Sequence, residues 1–354
     1  MARYDLSRAE VAELLSDQPR YRVDQVWEGL YRQLSVPEEM TTLPRSLRDR
    51  LSASEQLAPA LHEVARSDSD RGATRKWLWE LADGARIETV LMEYDRRATV
   101  CVSSQAGCAM GCGFCATGQA GFARNLSVGE IVEQVVRAGA ARRGGDAPAA
   151  RARPGPAPAR PANVVFMGMG EPLANYPRVW AAVERMHDDL GISARHITVS
   201  TVGVVPGIRR LAGEDLPVNL AVSLHAANDR LRDSLVPINR RYPLSAVLGA
   251  CRAYRRAKGR RLSFEWALIS GVNDREGDAA ELAELAVPLG AHVNLIPLNP
   301  TPGWPAVGSA PAVVRTFRDR LISLGVNATV RRNRGTDIDA ACGQLAATGG
   351  KLAG

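Results

Sequence analysis

The sequence predicts an α/β protein built around a parallel (βα)6 barrel, whole or partial. From Ala98 onward, short β-branched segments alternate with helical patterns, and six strand and helix units follow one another. Glycine-rich and polar motifs come directly after these strands, where a parallel barrel places its site. A length of 354 residues leaves room for the barrel and a smaller additional module.

Residues 1–70 are predicted to form a small helical module. Apolar residues recur at helical spacing in residues 7–34, where Pro19 interrupts the pattern, and TTLPRSLRDRL is typical of another short helix. Residues 71–97 then carry two alternating runs joined by Asp83 and Gly84. This dipeptide tolerates the positive φ of a tight turn, so the segment is predicted to be a β-hairpin extension.

The barrel is expected over residues 98–300. Its strands are predicted in the segments ATVCVS, NVVFMG, HITVST, VNLAVSLH, LSFEWALI and HVNLIPLN. The helices between them include SVGEIVEQVVRAG, where Ser127 and Glu130 form a capping-box pattern, and PLSAVLGACRAYRRAKG. Residues 301–354 are expected to add a helix, a strand and a final segment that contains a cysteine.

Residues 141–161, ARRGGDAPAARARPGPAPARP, interrupt this alternation. They contain five prolines and no aliphatic residue larger than Ala, so they cannot form a packed core. We expect a flexible insertion between the first barrel helix and the second strand. Its five arginines could contact RNA, but a solvated insertion without a function is the more ordinary interpretation.

The net charge and the distribution of apolar residues limit the partners and the cellular location that we expect. A formal net charge of +7 favours a polyanionic partner. However, only three of the 45 basic residues are lysines, and a GC-rich genome produces the same arginine bias. There is no run of eighteen apolar residues and no secretory pattern at the start, so we expect a cytoplasmic protein without a membrane partner.

Four of the six cysteines fall within residues 101–115. Cys108, Cys112 and Cys115 have C-x3-C-x2-C spacing in a glycine-rich loop after the first barrel strand. Three thiolates can bind three irons of a [4Fe-4S] cube and leave the fourth iron open. The alternative is a zinc-stabilised RNA-binding module, but zinc requires a fourth protein ligand and the next histidine after the loop, His187, is distant along the chain.

This cysteine spacing, followed by the β/α alternation, resembles the radical S-adenosylmethionine enzymes. The resemblance implies a partial TIM-like barrel and two cofactors, one [4Fe-4S] cluster and S-adenosylmethionine. In that superfamily the open iron binds the amino and carboxylate groups of S-adenosylmethionine and delivers the electron that cleaves it to a 5′-deoxyadenosyl radical. An electron donor such as flavodoxin or ferredoxin is therefore implied.

Further motifs resemble the methyltransferases that act on adenine C2 in 23S ribosomal RNA and in transfer RNA. The match runs from about Thr89 to Leu345, and it includes in order CVSSQAGC, VVFMGMGEPL, STVGVVPGI, AVSLHAANDRLRDSLVPIN, GVND, VNLIPLNP and RGTDIDAACGQL. The 141–161 insertion departs from most of the family. The resemblance implies that residues 1–70 contact RNA and that a disulfide reductant is needed, and we expect a monomer.

In this family two cysteines outside the cluster carry the methyl chemistry, and the matching positions are Cys342 and Cys101. By analogy, Cys342 takes a methyl group from one S-adenosylmethionine. A second S-adenosylmethionine yields the radical that converts this methyl group to a methylene radical, which adds to C2. Cys101 then attacks the sulfur of Cys342 in a transient disulfide and releases the base. Glu88 matches the proton acceptor of the family. Cys251 has no partner motif and is expected to be a core residue.

The resemblance also assigns contacts with S-adenosylmethionine to residues that follow the strands. The acidic side chain of the MGMGEP motif would hold the ammonium group, and the remaining positions would contact ribose, carboxylate and adenine. These positions are Gly170, Glu171, Ser200, Ser223, Leu224, His225 and Asn299.

Two alternatives share the radical chemistry. Methylation at adenine C8 by the antibiotic-resistance relatives uses the same two cysteines, so cysteine chemistry cannot separate C8 from C2. Radical activases and peptide modifiers need neither Cys101 nor Cys342. The presence of both cysteines therefore favours an adenine methyltransferase.

Overall fold

One mixed sheet of ten strands organises the protein. The computed structural model describes residues 2–95, 97–143, 161–301, 303–331 and 333–347. The strands are β1 (His62–Ser69), β2 (Thr74–Glu80), β3 (Arg86–Glu93), β4 (Ala98–Cys101), β5 (Gln105–Gly107), β6 (Phe122–Asn125), β7 (Asn163–Phe166), β8 (Ile197–Thr201), β9 (Asn219–Ser223), β10 (Leu262–Leu268), β11 (His292–Pro297) and β12 (Ala328–Val330). The α-helices are α1 (Arg8–Leu14), α2 (Tyr21–Tyr31), α3 (Arg45–Ser52), α4 (Ala116–Gln119), α5 (Val128–Arg143), α6 (Tyr176–Asp188), α7 (Val205–Gly213), α8 (Asp229–Leu235), α9 (Leu244–Lys258), α10 (Glu276–Ala286) and α11 (Pro311–Ser323).

The barrel part of the sheet is parallel and open. Its strand order is β4-β7-β8-β9-β10-β11-β12, and each neighbouring pair is parallel. The first six of these are the six predicted strands, and β12 adds a seventh. Within the described residues β1 and β12 form the two edges of the sheet, so the barrel does not close. The predicted partial barrel is confirmed.

The hairpin extension continues the sheet in antiparallel fashion from β4. Strands β2 and β3 pair over seven residue pairs, and β3 pairs with β4. The turn between β2 and β3 has Gly84 at φ +80°, as the Asp83-Gly84 dipeptide predicts. The Leu81 amide closes this turn on the Ala85 carbonyl at 2.8 Å. The extension is therefore part of the main sheet.

One predicted boundary is wrong. Residues 62–69 were expected to belong to the helical module, but they form the edge strand β1, paired with β2. The segment HEVARSDS is mostly polar and exposed, so its sequence carries no strand periodicity. The segment is extended because it pairs with the free edge of β2. The local sequence pattern cannot predict such a tertiary contact.

The helical module packs directly on the barrel. The Trp27 indole donates to Asp189 at 2.9 Å, and the Arg185 guanidinium of α6 donates to the Leu6 carbonyl at 2.9 Å. Apolar side chains of the module and of the barrel belong to one continuous core. Among the described residues, no helix is long and apolar enough to cross a membrane.

The expected insertion begins later than predicted. Helix α5 continues to Arg143, because Arg142 is held by an ion pair with Glu93 at 2.6 Å and Arg143 donates to the Leu34 carbonyl at 3.2 Å. Residues 141–143 are therefore helical. Residues 144–160, which carry the rest of the predicted insertion, lie outside the described residues.

Candidate active site

The three clustered cysteines lie in the connection of a two-stranded ribbon. Strands β5 and β6 pair antiparallel, and the Cys108 amide donates to the Gly121 carbonyl at 2.7 Å, which closes the base of the loop. The Cys115 amide donates to the Cys112 carbonyl at 3.1 Å. All three cysteines line one cavity of about 160 Å³. The sequence predicted the loop but not the ribbon that supports it.

The donor set of this loop fits an iron-sulfur cluster. Burial, more than any other cause, raises the pKa of Cys108 to about 12, and burial followed by the neighbouring Cys115 and Cys108 raises that of Cys112. A thiophilic metal removes this cost because it binds the thiolate form. No three His, Cys, Asp or Glu side chains of the described residues converge on one ion. A cubane does not require this, since each cysteine binds a different iron.

Glu171 is held in the wall of this cavity by backbone amides. Its carboxylate is 2% exposed and accepts from the Val202 amide at 2.8 Å and the Leu173 amide at 3.0 Å. Burial raises the pKa of Glu171 to about 7. Gly170 precedes it with φ +97°, and a Cβ there would lie 2.5 Å from the side chain of Gln105. The contact with Gln105 and the positive φ therefore require glycine at this position.

His225 presents a neutral imidazole to the same cavity. Its Nδ1 accepts from the Ala267 amide at 3.0 Å, and its backbone has φ +60°, an uncommon value for a residue other than glycine. Burial and, second, the charge of Arg232 lower its pKa to about 3. Since Nδ1 is an acceptor in the neutral ring, Nε2 carries the proton and is available as a donor.

The remaining predicted cofactor contacts divide into two groups. Ser200, Ser223 and Asn299 line the cavity. Leu224 does not belong to the lining: its side chain is fully buried in the apolar core. Its amide donates to the Glu265 carbonyl at 3.0 Å, and its carbonyl accepts from Arg232 at 3.0 Å. Leu224 therefore supports the end of β9 instead of offering a side chain to the cavity.

Cys342 lies where two cavities meet. It lines the cluster cavity and also a smaller second cavity that is lined by Cys101, and Met167 and Arg331 line both as well. Cys101 ends β4 and is 6% exposed. Burial raises its pKa to about 12, Cys342 adds to this increase, and Arg331 opposes it. The structure thus brings Cys101 and Cys342, far apart in sequence, to one cavity.

The segment that carries Cys342 docks against the cluster loop. We call residues 339–347 the carrier segment. Asn299 donates from Nδ2 to the Cys342 carbonyl at 3.0 Å. The amide of Ala116, which follows the cluster cysteine Cys115, donates to the Gly343 carbonyl at 2.8 Å. A predicted cofactor contact and the cluster loop therefore both bind the backbone of this segment.

Glu88 does not line either cavity. Its carboxylate is 2% exposed and forms an ion pair with Lys76 at 2.8 Å. It accepts from the amides of Ala346 at 2.9 Å and Ala347 at 3.3 Å. In this structure the carboxylate therefore binds the carrier segment, and the role of Glu88 as proton acceptor stays a prediction.

All six cysteines are free thiols in this structure. Cys251 is fully buried in α9, as expected for a core residue. The disulfide expected between Cys101 and Cys342 as a transient state is absent here, so it remains a step of the proposed reaction and not a structural bridge.

Sequence reasoning missed several charged residues of the site. Arg331 follows β12, and its pKa is raised, first by the neighbouring Cys342. It stands in the run VRRNR, which is typical of a solvated surface, although its position at a strand end was a usable signal. Glu265 lines the cluster cavity from the apolar strand β10, and the buried Arg232 binds the carbonyls of Val202 and Leu224.

Comparison with known proteins identifies close relatives over nearly the full chain. Residues 153–283 match the family described as the Radical SAM superfamily. A protein of Parafrankia sp. (strain EAN1pec), named "Probable dual-specificity RNA methyltransferase RlmN", is 55% identical over an alignment of 353 positions that covers 97% of this chain and 91% of that protein. A protein of the same name from Roseiflexus castenholzii is 52% identical and matches 97% of this chain and 95% of its own length.

A solved structure agrees with these relatives. The crystal structure of a radical SAM methyltransferase from Sphaerobacter thermophilus superposes with a TM-score of 0.90 at 49% sequence identity. The match covers 98% of this chain and 100% of that one. At this level of identity and coverage, the chain belongs to the dual-specificity RNA methyltransferases of the radical SAM superfamily.

Proposed function

We propose that this chain methylates C2 of a specific adenosine in 23S ribosomal RNA, and of an anticodon-loop adenosine in transfer RNA, through a methyl group carried on Cys342. The observation that carries the proposal is the position of Cys342 on both cavities, one with the three clustered cysteines and the other with Cys101. A methyl carrier must take the group up at one place and be released by a second thiol at another. The names of the relatives support RNA as the substrate.

The cluster cavity would bind both cofactors. Cys108, Cys112 and Cys115 would hold a [4Fe-4S] cluster, which would supply the electron for cleavage of S-adenosylmethionine to a 5′-deoxyadenosyl radical. Glu171 would hold the ammonium group, since its carboxylate is fixed by backbone amides beside Gly170. The ribose, carboxylate and adenine of S-adenosylmethionine would be bound by the remaining polar residues of the lining, Ser200, Ser223, His225 and Asn299. Leu224 would support this part of the site from the end of β9.

Cys342 takes up the methyl group by nucleophilic displacement. Its thiolate attacks the methyl carbon of S-adenosylmethionine, one carbon-sulfur bond forms as the other breaks, and S-adenosylhomocysteine leaves. Arg331 lines both cavities together with this cysteine and places a positive charge beside its sulfur. The 5′-deoxyadenosyl radical would then take a hydrogen atom from this methyl group and become 5′-deoxyadenosine, and the methylene radical left on Cys342 would add to C2 of the base.

Release of the product uses Glu88 and Cys101. Glu88 would accept the proton that leaves C2, and the oxidised cluster would take back the unpaired electron of the adduct, which leaves a closed-shell thioether. Cys101 then attacks the sulfur of Cys342. As that disulfide forms, the bonding electrons of the carbon-sulfur bond stay with the methylated base, which takes up a proton. An external thiol reductant then restores both cysteines.

The proposal also assigns a role to each part of the chain and implies a cellular location and an electron donor. Residues 1–70 would contact RNA, residues 71–97 would carry the proton acceptor, residues 98–300 would hold the cofactors and residues 301–354 would carry the methyl group. The enzyme would act in the cytoplasm as a monomer, with flavodoxin or ferredoxin as electron donor. The same two cysteines would also serve methylation at C8, so the experiment must separate these products.

Mass spectrometry of digested ribosomal and transfer RNA tests the proposal. RNA from cells that lack this protein is compared with RNA from cells that express it, or express Cys342→Ala. We expect 2-methyladenosine with the wild-type protein and none with Cys342→Ala. Cys251→Ala serves as the matched control, since Cys251 is buried in α9 and should leave the product unchanged. Detection of 8-methyladenosine instead would assign the C8 reaction, and detection of neither product would contradict both.

A further inference from the structure

The carrier segment is attached to the hairpin extension by a buried ion pair. Lys76 lies on β2 and Glu88 on the adjacent β3, with Nζ and Oε1 2.8 Å apart. The two side chains are 8% and 2% exposed. Removing both charges from water is costly unless further hydrogen bonds satisfy them. The other partners of this pair therefore indicate what it supports.

Both members of the pair also bind the carrier segment, one on each side of Cys342. Lys76 donates from Nζ to the Asp339 carbonyl at 3.3 Å, before Cys342 in the chain. Oε2 of Glu88 accepts from the amides of Ala346 at 2.9 Å and Ala347 at 3.3 Å, after Cys342. The Ser69 hydroxyl adds a bond to the Asp337 carboxylate just outside the segment.

The opposite side of the segment faces the cavities. Asn299 donates to the Cys342 carbonyl at 3.0 Å, and the Ala116 amide donates to the Gly343 carbonyl at 2.8 Å. The carrier segment therefore has one set of backbone bonds from the barrel, at Cys342 and Gly343, and another from the hairpin, on either side of Cys342. A sulfur that must meet two different partners depends on both sets for its position.

The identity of the cation is itself unusual in this chain. Lys76 is one of three lysines among 45 basic residues. A lysine ammonium is compact and has three donors, whereas the planar arginine fork suits bidentate carboxylate pairs. Lys76 serves a carboxylate and a carbonyl at once, which is the geometry that an ammonium satisfies.

We propose that Lys76 is a positioning residue that holds Cys342 at the junction of the two cavities. It acts through the Glu88 carboxylate and the Asp339 carbonyl and touches neither substrate nor cofactor. The inference depends on the proposed function of Cys342 as methyl carrier. Without this ammonium, Glu88 loses the charged partner that the structure gives it, and the segment loses its attachment at Asp339.

Hydrogen exchange of the full-length protein tests the attachment without any reaction. Lys76→Met removes the charge and keeps the side chain long. The amides of Ala346 and Ala347 should exchange about tenfold faster or more, because loss of a charge-assisted bond permits local opening. Arg86→Met is the matched control, since this exposed hairpin cation pairs with Glu80 at 2.9 Å. Unchanged exchange of the two amides in Lys76→Met would overturn the proposal.

The methylation reaction provides the second measurement. We expect kcat on RNA to fall about 100-fold in Lys76→Met, as for a misplaced reacting group, while KM for RNA stays within about twofold. Lys76→Arg keeps the cation and should recover kcat to within about tenfold of the wild type. A normal kcat in Lys76→Met, or the same loss in Lys76→Arg, would contradict a role through charge.

The two proposals fail in different ways. If strands β8 and β9 lose protection in Lys76→Met, the variant has not folded, and Lys76→Gln replaces it in both measurements. Wild-type protein that makes no methyladenosine would contradict the proposed function, yet the exchange result would still decide whether Lys76 holds the segment. Faster exchange together with wild-type methylation would contradict the positioning role alone.

Discussion

Cys101 and Cys342 differ in how the chain holds them. Cys101 ends β4, where its backbone lies between those of Val90 and Val165 in the sheet. Cys342 lies in the irregular carrier segment, which is held by side chains and not by a strand ladder. A fixed thiol suits the resolving step, and a thiol held where two cavities meet suits a group that is taken up in one cavity and released in the other.

This difference predicts unlike phenotypes for the two alanine variants. Cys342→Ala should not become attached to RNA, because the methylene carbon is carried on this sulfur. Cys101→Ala should accumulate a covalent protein-RNA adduct, since no thiol remains to break the carbon-sulfur bond. A denaturing gel of turnover mixtures with labelled RNA separates the adduct from free RNA.

Cys251→Ala is the control for this pair and should behave as the wild type, since Cys251 is buried in α9 away from both cavities. An adduct with Cys342→Ala, or none with Cys101→Ala, would overturn the assignment of roles. The iron-sulfur interpretation of Cys108, Cys112 and Cys115 would stand in either case.

The pKa of Cys101 predicts how release depends on pH. Burial, with a smaller contribution from Cys342, raises this pKa to about 12, so the thiol is protonated at neutral pH. At pH values below this pKa, the thiolate fraction increases about tenfold for each unit by which the pH rises. The thiolate is the species that attacks. In single-turnover experiments, adduct decay should accelerate by up to about tenfold per unit as pH rises through neutrality. A flat or decreasing profile would contradict Cys101 as the attacking group.

At the scale of elements, the sequence predicted those strands whose pattern is local. β7 and β8 are short β-branched segments with buried alternate residues, β9 is buried at its three central residues, and each strand was expected where it lies. The sequence did not predict β1, because its residues are mostly polar and its extended form depends on pairing with β2. Local pattern reports burial of one segment, and it carries no record of a partner elsewhere in the chain.

The same limit separates the site residues that were predicted from those that were not. Glu171 and His225 follow strands in recognisable motifs, so their meeting at one cavity could be foreseen. The contact between Lys76 and Asp339 joins distant parts of the chain and leaves no periodic signal. Leu224 shows the opposite error, because a motif position was expected to reach the cavity and its side chain is buried in the core.

Helix α8 supplies a buried cation that joins the ends of neighbouring strands. Arg232 is fully buried and donates to the carbonyls of Val202 at 2.6 Å and Leu224 at 3.0 Å, and to Asn239 at 2.7 Å. These carbonyls follow β8 and β9, beside Glu171 and His225. The guanidinium thus fixes the spacing of two strand ends that line the cluster cavity.

Removing this cation should destabilise the protein strongly. Arg232→Met leaves several buried acceptors without a donor, and we expect the free energy of unfolding to fall by about 3 kcal/mol or more. Denaturant titration followed by circular dichroism measures the change. Arg230→Met, an exposed position on the same helix, should stay within about 0.5 kcal/mol of the wild type. Equal stability of the two variants would contradict the structural role of Arg232.

At the scale of the whole molecule, the helical module and the barrel share one apolar core. Leu30 of α2 is fully buried in it, and polar bonds reinforce the contact where Trp27 donates to Asp189 and Arg185 to the Leu6 carbonyl. Two units with a continuous apolar interface do not unfold independently, because separating them exposes that interface to water. The module that we propose contacts RNA is therefore held rigidly relative to the cavities.

Leu30→Ala should consequently weaken the barrel as well as the module. Truncation of a fully buried leucine costs about 2–5 kcal/mol, and a shared core distributes this loss over both parts. Native-state hydrogen exchange should show protection falling together in α2 and in the barrel strand β8. Tyr21→Ala on the same helix is the control, since Tyr21 is 54% exposed and its truncation should change neither. If protection falls in α2 while β8 remains as in the wild type, the module is an independent folding unit, and a rigid arrangement of RNA-contacting module and active site would have to be abandoned.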